Sequence, residues 1–394
     1  MVQAAPLVAR IKVDRKQVGL KIGIPCERGF QENRVAITPQ GVALLAHNGH
    51  EVVVERDAGI HSFFTDQDYA EAGALLVDGP TEVYQCPLVV KVGPVPAEEL
   101  HYLRQGQMVF SALHLPSMKS GDLKEIIGRR ITGVAYEYLT DRSGFQPVVR
   151  SMSEIAGTMA ILIASEYMSN QFQGRGRLLG SVTGVPPTRV VILGAGTVAE
   201  HAAKAALGLG SEVALFDNSI RRLRRLQLLL GRPVYTSVIH PSVLASQLST
   251  ADVVVGAMGA RNGRTPMVVT EAMVMGMKAG AVIVDVSIDQ GGCFETSRLT
   301  NHTQPVFEHH GVVHYGVPNI PSRVSQTASE SLSNILTPIL LEAGQRGGAE
   351  ALLWLEQGLR AGVYCHQGHL TQRHLGETYH LPWTHLETLM GSGM

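Results

Sequence analysis

The stretch Thr188–Asp217, TRVVILGAGTVAEHAAKAALGLGSEVALFD, limits the possible folds of this chain more than any other segment. Val190–Leu193 is a short apolar run suited to a buried parallel strand. It ends in Gly194-Ala195-Gly196-Thr197-Val198-Ala199, the G-x-G-x-x-G/A pattern. Gly194 permits the tight turn, Gly196 lets backbone approach a pyrophosphate, and Ala199 is small enough for the next helix to lie on the strand. Small and apolar residues then alternate to Leu209, where Gly210 supplies a helix stop, and a second strand, Glu212–Phe216, closes on Asp217.

Alone, the glycine pattern carries little. Here it follows a strand, opens a helix and meets an acid 217 − 196 = 21 residues after its second glycine. Gly194, Ala195, Gly196, Thr197 and Val198 are therefore the expected cofactor-binding turn, its free helix-start amides facing a pyrophosphate. Asp217 can accept both ribose hydroxyls of an adenosine and would repel a 2′-phosphate, which favours NAD. Arg221 and Arg222 leave NADP as the alternative, and a βαβ unit that binds no nucleotide is the structural one.

A chain of 394 residues exceeds one ordinary core, and two domains is the simplest division. The formal net charge of −1 argues against a nucleic-acid or anionic-membrane surface, which needs a basic excess. The four cysteines, Cys26, Cys86, Cys293 and Cys365, lack C-x-x-C spacing, so neither a disulfide framework nor a zinc site is indicated and a reducing cytoplasm fits. No apolar run reaches the roughly 18 residues of a spanning helix. Met1–Leu20 lacks the apolar core of a signal peptide and reads as an extension.

From Lys21 the chain repeats an α/β rhythm. Strands are expected at Lys21–Ile24, Glu51–Glu55, Leu88–Val92, Met108–Leu113 and Thr132–Tyr136, with helices near Gln40–Asn48, Ala97–Arg104 and Lys119–Gly128. Ser151-x-x-Glu154 predicts a helix start, followed by Ile155–Met168, apolar on nearly every face and so a buried strut between domains. Further strands near Val234–Ser237, Asp252–Ala257, Ala281–Ile288 and Val312–Val317 complete a six-stranded doubly wound sheet around Val190–Leu193. Thr327-x-x-Glu330 predicts a helix through Ala343, kinked at Pro338, that crosses back, and an amphipathic helix follows near Ala349–Arg360. The expected fold is α/β, with two Rossmann-like, largely parallel open sheets separated by an active-site cleft. Residues 1–152 would form the first part of a substrate domain, 153–320 the nucleotide domain, and 321–394 a return helix and tail completing the first.

Ligands of open α/β sheets bind beyond the carboxyl ends of the strands. Polar residues there include Arg34, Lys91, His114 and Asp289. Two cations, an imidazole and a carboxylate beside a nicotinamide suit redox chemistry on a small anionic acid. Each also has a structural alternative: a loop salt bridge, a strand-edge charge, a half-buried histidine and a turn former. His366, His369, His374 and His380 have no recognisable ligand spacing, so they read as surface or packing residues and no metal is expected. Cys293 reads as a small buried residue.

These residues lie in stretches that resemble the alanine dehydrogenase and transhydrogenase NAD-binding-subunit family. The stretches are Ile22–Pro25, Glu32–Pro39, Lys91-Val92, Leu113–Leu115, Met152–Gly157, Gly184–Pro187, the glycine turn, Val284–Thr296, His310–Tyr315 and Asn319–Pro321. Coverage runs from about Lys21 to Leu341, and the IDQGGCFET segment is the most specific match. The resemblance implies reversible oxidative deamination of L-alanine to pyruvate and ammonium with NAD. By position, Arg34 and Lys91 would bind the substrate carboxylate and keto group, His114 would be the acid/base and Asp289 its catalytic partner. Met152 and Asn319 match substrate-pocket and nicotinamide-side positions, and Ser153 a cofactor contact. The family also implies a homo-oligomer, with a hexamer favoured. Ala112 stands where an aromatic is usual, Thr158 where an arginine is, and Cys26 where a lysine is. A dehydrogenase for another 2-oxo acid, a transhydrogenase NAD-binding subunit and a non-catalytic NAD sensor are the alternatives.

Overall fold

Short β-branched strands separated by helices build two open sheets in this computed structural model, which describes residues 18–391 apart from 30, 115–117, 142, 260–263 and 356. The N-terminal extension expected from the sequence lies, up to residue 17, outside the described residues. In the first sheet β1 (Lys21–Ile24), β2 (Glu51–Glu55), β3 (Leu75–Val77), β4 (Leu88–Val90), β5 (Met108–Ser111) and β6 (Thr132–Ala135) run parallel in the order β3-β2-β1-β4-β5-β6. In the second, β7 (Arg189–Leu193), β8 (Glu212–Phe216), β9 (Tyr235–Ser237), β10 (Val253–Gly256), β11 (Val282–Asp285) and β13 (Val312–Tyr315) run parallel in the order β9-β8-β7-β10-β11-β13. The antiparallel β12 (Val306–His309) lies outside β13 as a seventh strand. Both parallel sets follow the 3-2-1-4-5-6 winding of dinucleotide-binding sheets.

Helices cover both faces of each sheet. Between the strands of the first lie α1 (Pro39–His47), α2 (Asp66–Glu71), α3 (Pro80–Val83) and α4 (Ser120–Gly128), and α5 (Pro147–Met168) leads out of it. The second has α6 (Thr197–Gly208), α7 (Ile220–Leu230), α8 (Pro241–Leu248) and α9 (Glu271–Met275), and α10 (Ser325–Gln345) leads back. Alternate residues of one strand enter opposite cores: Leu88 and Val90 one, Val89 the other. Val190 and Ile192 likewise face away from Val191 and Leu193. Burial on both faces explains why these strands read as continuous apolar runs.

Several elements depart from the sequence expectation. The strands expected at Leu88–Val92, Met108–Leu113 and Ala281–Ile288 stop early, at Val90, Ser111 and Asp285. Beyond each, carboxylates collect backbone amides: Glu27 takes Val92 N at 2.6 Å, Glu137 takes Leu113 N at 2.8 Å, and Asp285 takes Ser287 N at 3.1 Å. Ala97–Tyr102 is a 3-10 helix, and it buries Glu99. Neither predicted capping box caps a helix. Helix α5 starts four residues earlier, with Pro147 in its first turn, and Glu154 pairs with Arg150 at 2.9 Å. Helix α10 starts at Ser325, continuing a 3-10 turn at Ile320–Val324, and runs through Pro338.

The tail adds strands that periodicity did not reveal: β14 (Val363–His366) pairs antiparallel with β6, and β15 (His369–Leu370) pairs with β14. Gly133 of β6 accommodates the Tyr364 ring, which a β-carbon would meet at 2.4 Å.

Among the described residues α5 is the one helix long and apolar enough to cross a membrane, and here it packs against α6, α10 and β11. Its crossing with α6 depends on Gly157, where a β-carbon would stand 2.3 Å from Val198 O. Backbone cannot yield as a flexible side chain can, so Gly157→Val is expected to cost about 1–3 kcal/mol. Urea unfolding checks this: the midpoint should fall with an unchanged slope, and an unchanged midpoint would contradict the close crossing.

Candidate active site

The β1–α1 loop turns inward because its amides are held by serines. Asn33 N donates to Ser322 Oγ at 2.9 Å, Val35 N to Ser329 Oγ at 2.9 Å, and Thr38 N to Ser333 Oγ at 3.1 Å. Ser329 and Ser333 lie four apart on α10, so one buried helix face fixes the loop that carries Arg34.

The Arg34 side chain is 12% exposed, and Glu32 neutralises it through a bidentate contact: Nε to Oε1 at 2.7 Å and Nη2 to Oε2 at 2.6 Å. Burial works against the charge, but the Glu32 carboxylate outweighs it and raises the guanidinium's pKa. Nη2 also reaches Asn319 Oδ1 at 2.7 Å, and Asn319 Nδ2 donates back to Glu32 at 2.8 Å. Nη1 points at Met152 Sδ, 3.1 Å away. Three of the predicted site residues thus meet, with Met152, Asn319 and a fourth group, Glu32, all touching Arg34. Asn319 follows the last strand of the second sheet in a left-handed conformation, φ 60°.

Lys91, fully buried just beyond β4, lies 3.1 Å from Glu99 and 3.4 Å from Glu27. Burial disfavours its charge, yet these carboxylates hold its pKa above the ordinary lysine value. Tyr84 Oη donates to Glu99 at 2.7 Å, and Arg28 binds both Glu99 and Glu55. Glu27 links the two cation sites, since it acts electrostatically on Lys91 and Arg34 alike.

His114 sits past β5 at φ 45°, a left-handed conformation uncommon outside glycine. Glu137 holds that turn, its Oε1 accepting Leu113 N at 2.8 Å and His114 N at 3.0 Å. Burial lowers the imidazole pKa, while the Asp289 charge opposes the shift. Asp289 is raised in turn by burial, with His114 opposing. The two groups, one beyond β5 of the first sheet and one beyond β11 of the second, therefore act on each other electrostatically. Asp289 lies on a 3-10 turn at Ile288–Gln290. That loop is anchored by Asp285, which accepts Cys293 N at 3.1 Å and Ser297 Oγ at 2.7 Å. Burial pushes the Asp285 carboxyl up to about 6. Cys293 is fully buried, and burial raises its thiol pKa well above the ordinary value, as suits a packing residue.

At the glycine turn Gly194 has φ 115°, and a β-carbon there would strike Ala257 O at 2.3 Å. Gly196 precedes α6 without a side-chain cap, and its missing β-carbon would point into open space. Thr197 and Val198 open α6, leaving its first amides to face an anion. Asp217 is buried at the end of β8, taking Ala195 N at 2.9 Å and Ser219 N at 2.7 Å, with Arg222 at 4.0 Å. Ser153 is half-buried on α5 beside Met152.

Glu27, Glu32, Glu99 and Glu137 escaped sequence reasoning as site residues. Glu32 alone had a local signal, standing two residues before Arg34. The others are joined to the cations and His114 only by the fold.

Two like-wound sheets, a dinucleotide turn on one and a cationic cluster on the other define a two-domain dehydrogenase-type α/β protein. The sequence patterns described as "Alanine dehydrogenase/PNT, N-terminal domain" and "Alanine dehydrogenase/PNT, C-terminal domain" match residues 23–156 and 160–373, and the chain belongs to this family. It is 38% identical over 371 residues to "Alanine dehydrogenase 2" of Staphylococcus aureus (strain N315), covering 93% of this chain and 99% of that one. It is also 38% identical to the alanine dehydrogenase of Staphylococcus haemolyticus (strain JCSC1435), over 93% of this chain and 98% of the relative. A solved L-alanine dehydrogenase superposes with a TM-score of 0.86 at 36% identity, covering 91% and 99% of the two chains. A transhydrogenase from Sinorhizobium meliloti superposes at 0.76 with 24% identity, over 90% and 99%, a likeness of fold.

Removing Glu32 would leave a buried guanidinium without its neutralising partner. Glu32→Ala is therefore expected to lower the unfolding free energy by about 3–5 kcal/mol. Chemical denaturation checks this, and a loss below about 1 kcal/mol would show that Arg34 finds another partner or water.

Proposed function

We propose that this chain is an NAD-dependent L-alanine dehydrogenase whose reaction takes place between the two sheets. The reading is carried by the electrostatic pairing of His114, beyond β5, with Asp289, beyond β11, beside the Arg34 and Lys91 cluster. The sheet containing the glycine turn is assigned the cofactor, and Gly194, Ala195, Gly196, Thr197, Val198, Ser153 and Asp217 its contacts. NAD, when bound, accepts the hydride from the alanine α-carbon.

The protein's own groups supply the rest. Glu32 and Asn319 already use Arg34 Nε and Nη2, so the substrate carboxylate would dock at Nη1, beside Met152. Lys91 has three donors and two carboxylate neighbours, which leaves one N–H for the carbonyl oxygen that develops. Neutral His114 accepts a proton from the substrate ammonium and passes it to solvent; once the hydride has left, it accepts a second proton from the water that attacks the imine carbon and returns it to the nitrogen of the resulting carbinolamine. The C–N bond then breaks, the hydroxyl proton leaves with the ammonia as ammonium, and pyruvate remains. Asp289 stabilises the imidazolium and the positive imine nitrogen. In the reverse direction His114 returns the protons.

Residues 1–152 and 321–394 are assigned to the substrate domain and 153–320 to the NAD domain, because α5 and α10 carry the chain out and back. A cytoplasmic homo-oligomer, a hexamer by family, is the assembly we assign. Exposed Leu162, Phe172, Leu178, Val182 and Val185, crowded into one stretch, support association. Ala112, half-buried near the substrate cluster, favours as the second reading a dehydrogenase for a larger 2-oxo acid. NADH oxidation with ammonium and a series of 2-oxo acids separates the two: a pyruvate optimum supports the first reading, and a branched-acid optimum the second.

His114→Ala should abolish turnover while NADH still quenches or shifts fluorescence on binding, and near-normal turnover would remove His114 from the mechanism. The pH profile carries a second test. Because burial lowers the His114 pKa, alanine oxidation should lose rate on the acid side only below 6.5. Asp289 opposes that lowering, so the residual activity of Asp289→Asn should show its acid limb at still lower pH. A limb moved upward would exclude the pairing.

A further inference from the structure

Away from the cleft, the β12–β13 hairpin and the start of α9 bring together three side chains that the reaction does not use. Glu271 Oε1 lies 3.0 Å from His309 Nε2 and 2.8 Å from His310 Nε2. The three donor atoms all fall within 4.8 Å of one another, the one such convergence of histidine, cysteine and carboxylate groups among the described residues. We propose that Glu271, His309 and His310 form a surface site for one divalent transition-metal ion of the zinc class, bound through Glu271 Oε1 and both Nε2 atoms.

Neighbouring residues of an extended strand point to opposite faces, so two adjacent histidines ordinarily diverge. Here His309 pairs with Val312, and His310-Gly311 form a two-residue turn with φ 52° and 71°. Positive φ at both positions is the type I′ geometry that suits a hairpin's twist. It swings the His310 ring to the same side as His309, with ring centroids 4.2 Å apart. Metal bonds of about 2.0–2.2 Å to imidazole nitrogen and carboxylate oxygen place ligand atoms about 3.3 Å apart at a tetrahedral centre. The two carboxylate–imidazole separations, 3.0 and 2.8 Å, need to open by only a few tenths of an ångström.

The donor set selects the ion. Two imidazoles and one carboxylate suit zinc or nickel, whereas magnesium and calcium require oxygen ligands. Hydrogen bonds from His310 and His309 lower the Glu271 carboxyl pKa and keep it an anion. His314 is nearby but takes no part, its Nε2 paired with Thr296 Oγ1 at 2.8 Å and its Nδ1 with Val312 O at 3.0 Å. Three protein ligands leave a fourth position for water. The backbone of Glu271 is tied to Glu295, whose carboxylate accepts its N–H at 2.7 Å. A bound ion would therefore join the edge hairpin to the segment that continues from Asp289.

The test is calorimetric titration of the untagged, chelator-stripped full chain with Zn²⁺, with Mg²⁺ as control. We expect one tight Zn²⁺ per chain, no Mg²⁺ binding at that affinity, and an upward shift in melting temperature with Zn²⁺. His310→Ala and Glu271→Gln should each weaken Zn²⁺ roughly tenfold or more, and His309→Ala with His310→Ala should remove the site. A combined His369→Ala, His374→Ala, His380→Ala variant should bind as the parent does. Absence of Zn²⁺ binding, equal affinity in the hairpin variants, or loss in the tail variant would each overturn the proposal.

Discussion

A buried carboxylate–guanidinium pair holds the two halves of this molecule in register. Glu32 and Arg34 belong to the loop after β1, while the asparagine they share, Asn319, follows β13 of the other sheet. Charges so enclosed are tolerable only when each finds its complement and its remaining hydrogen bonds, and here the amide that completes those bonds comes from the opposite domain. The interaction is therefore less a source of net stability than a condition on geometry, because displacing either side strips both charges of a buried hydrogen-bond partner.

The same logic recurs at Lys91 and His114. Each candidate side chain stands where a strand ends, and at each end a carboxylate gathers loose backbone amides: Glu27 beyond β4, Glu137 beyond β5 and Asp285 at the end of β11. These acids stop the strands and aim the loop residues beyond them. Glu27 both caps a strand and shares the field of both cations.

The parallel strands were legible in the sequence because burial on two faces writes uninterrupted apolar runs, and the dinucleotide turn because glycines at fixed spacing have few other uses. Arg34, Lys91, His114 and Asp289 could be singled out because they stand at strand ends. The acids that manage them could not, since Glu99 meets Lys91 from a 3-10 turn and Glu137 meets His114 from beyond β6. The capping-box patterns at Ser151 and Thr327 misled for a related reason. Both helices were already under way, begun by Pro147 in one case and by a preceding 3-10 turn in the other, and Ser151 instead meets Ser331 of α10. The β14–β15 hairpin was invisible because its pairing partner, β6, lies more than 200 residues upstream in a chain read locally.

The chain passes from the first sheet to the second along α5 and returns along α10, and these helices pack against each other. Two adjacent covalent crossings act as a hinge of limited freedom, where a single linker would let the halves drift independently. Arg34 and His114 belong to one sheet, Asn319 and Asp289 to the other, so relative motion of the sheets acts on both pairs. The proposed proton-transfer pair and the proposed carboxylate anchor thus share one relative motion, and a substrate held at the anchor would carry it to the pair.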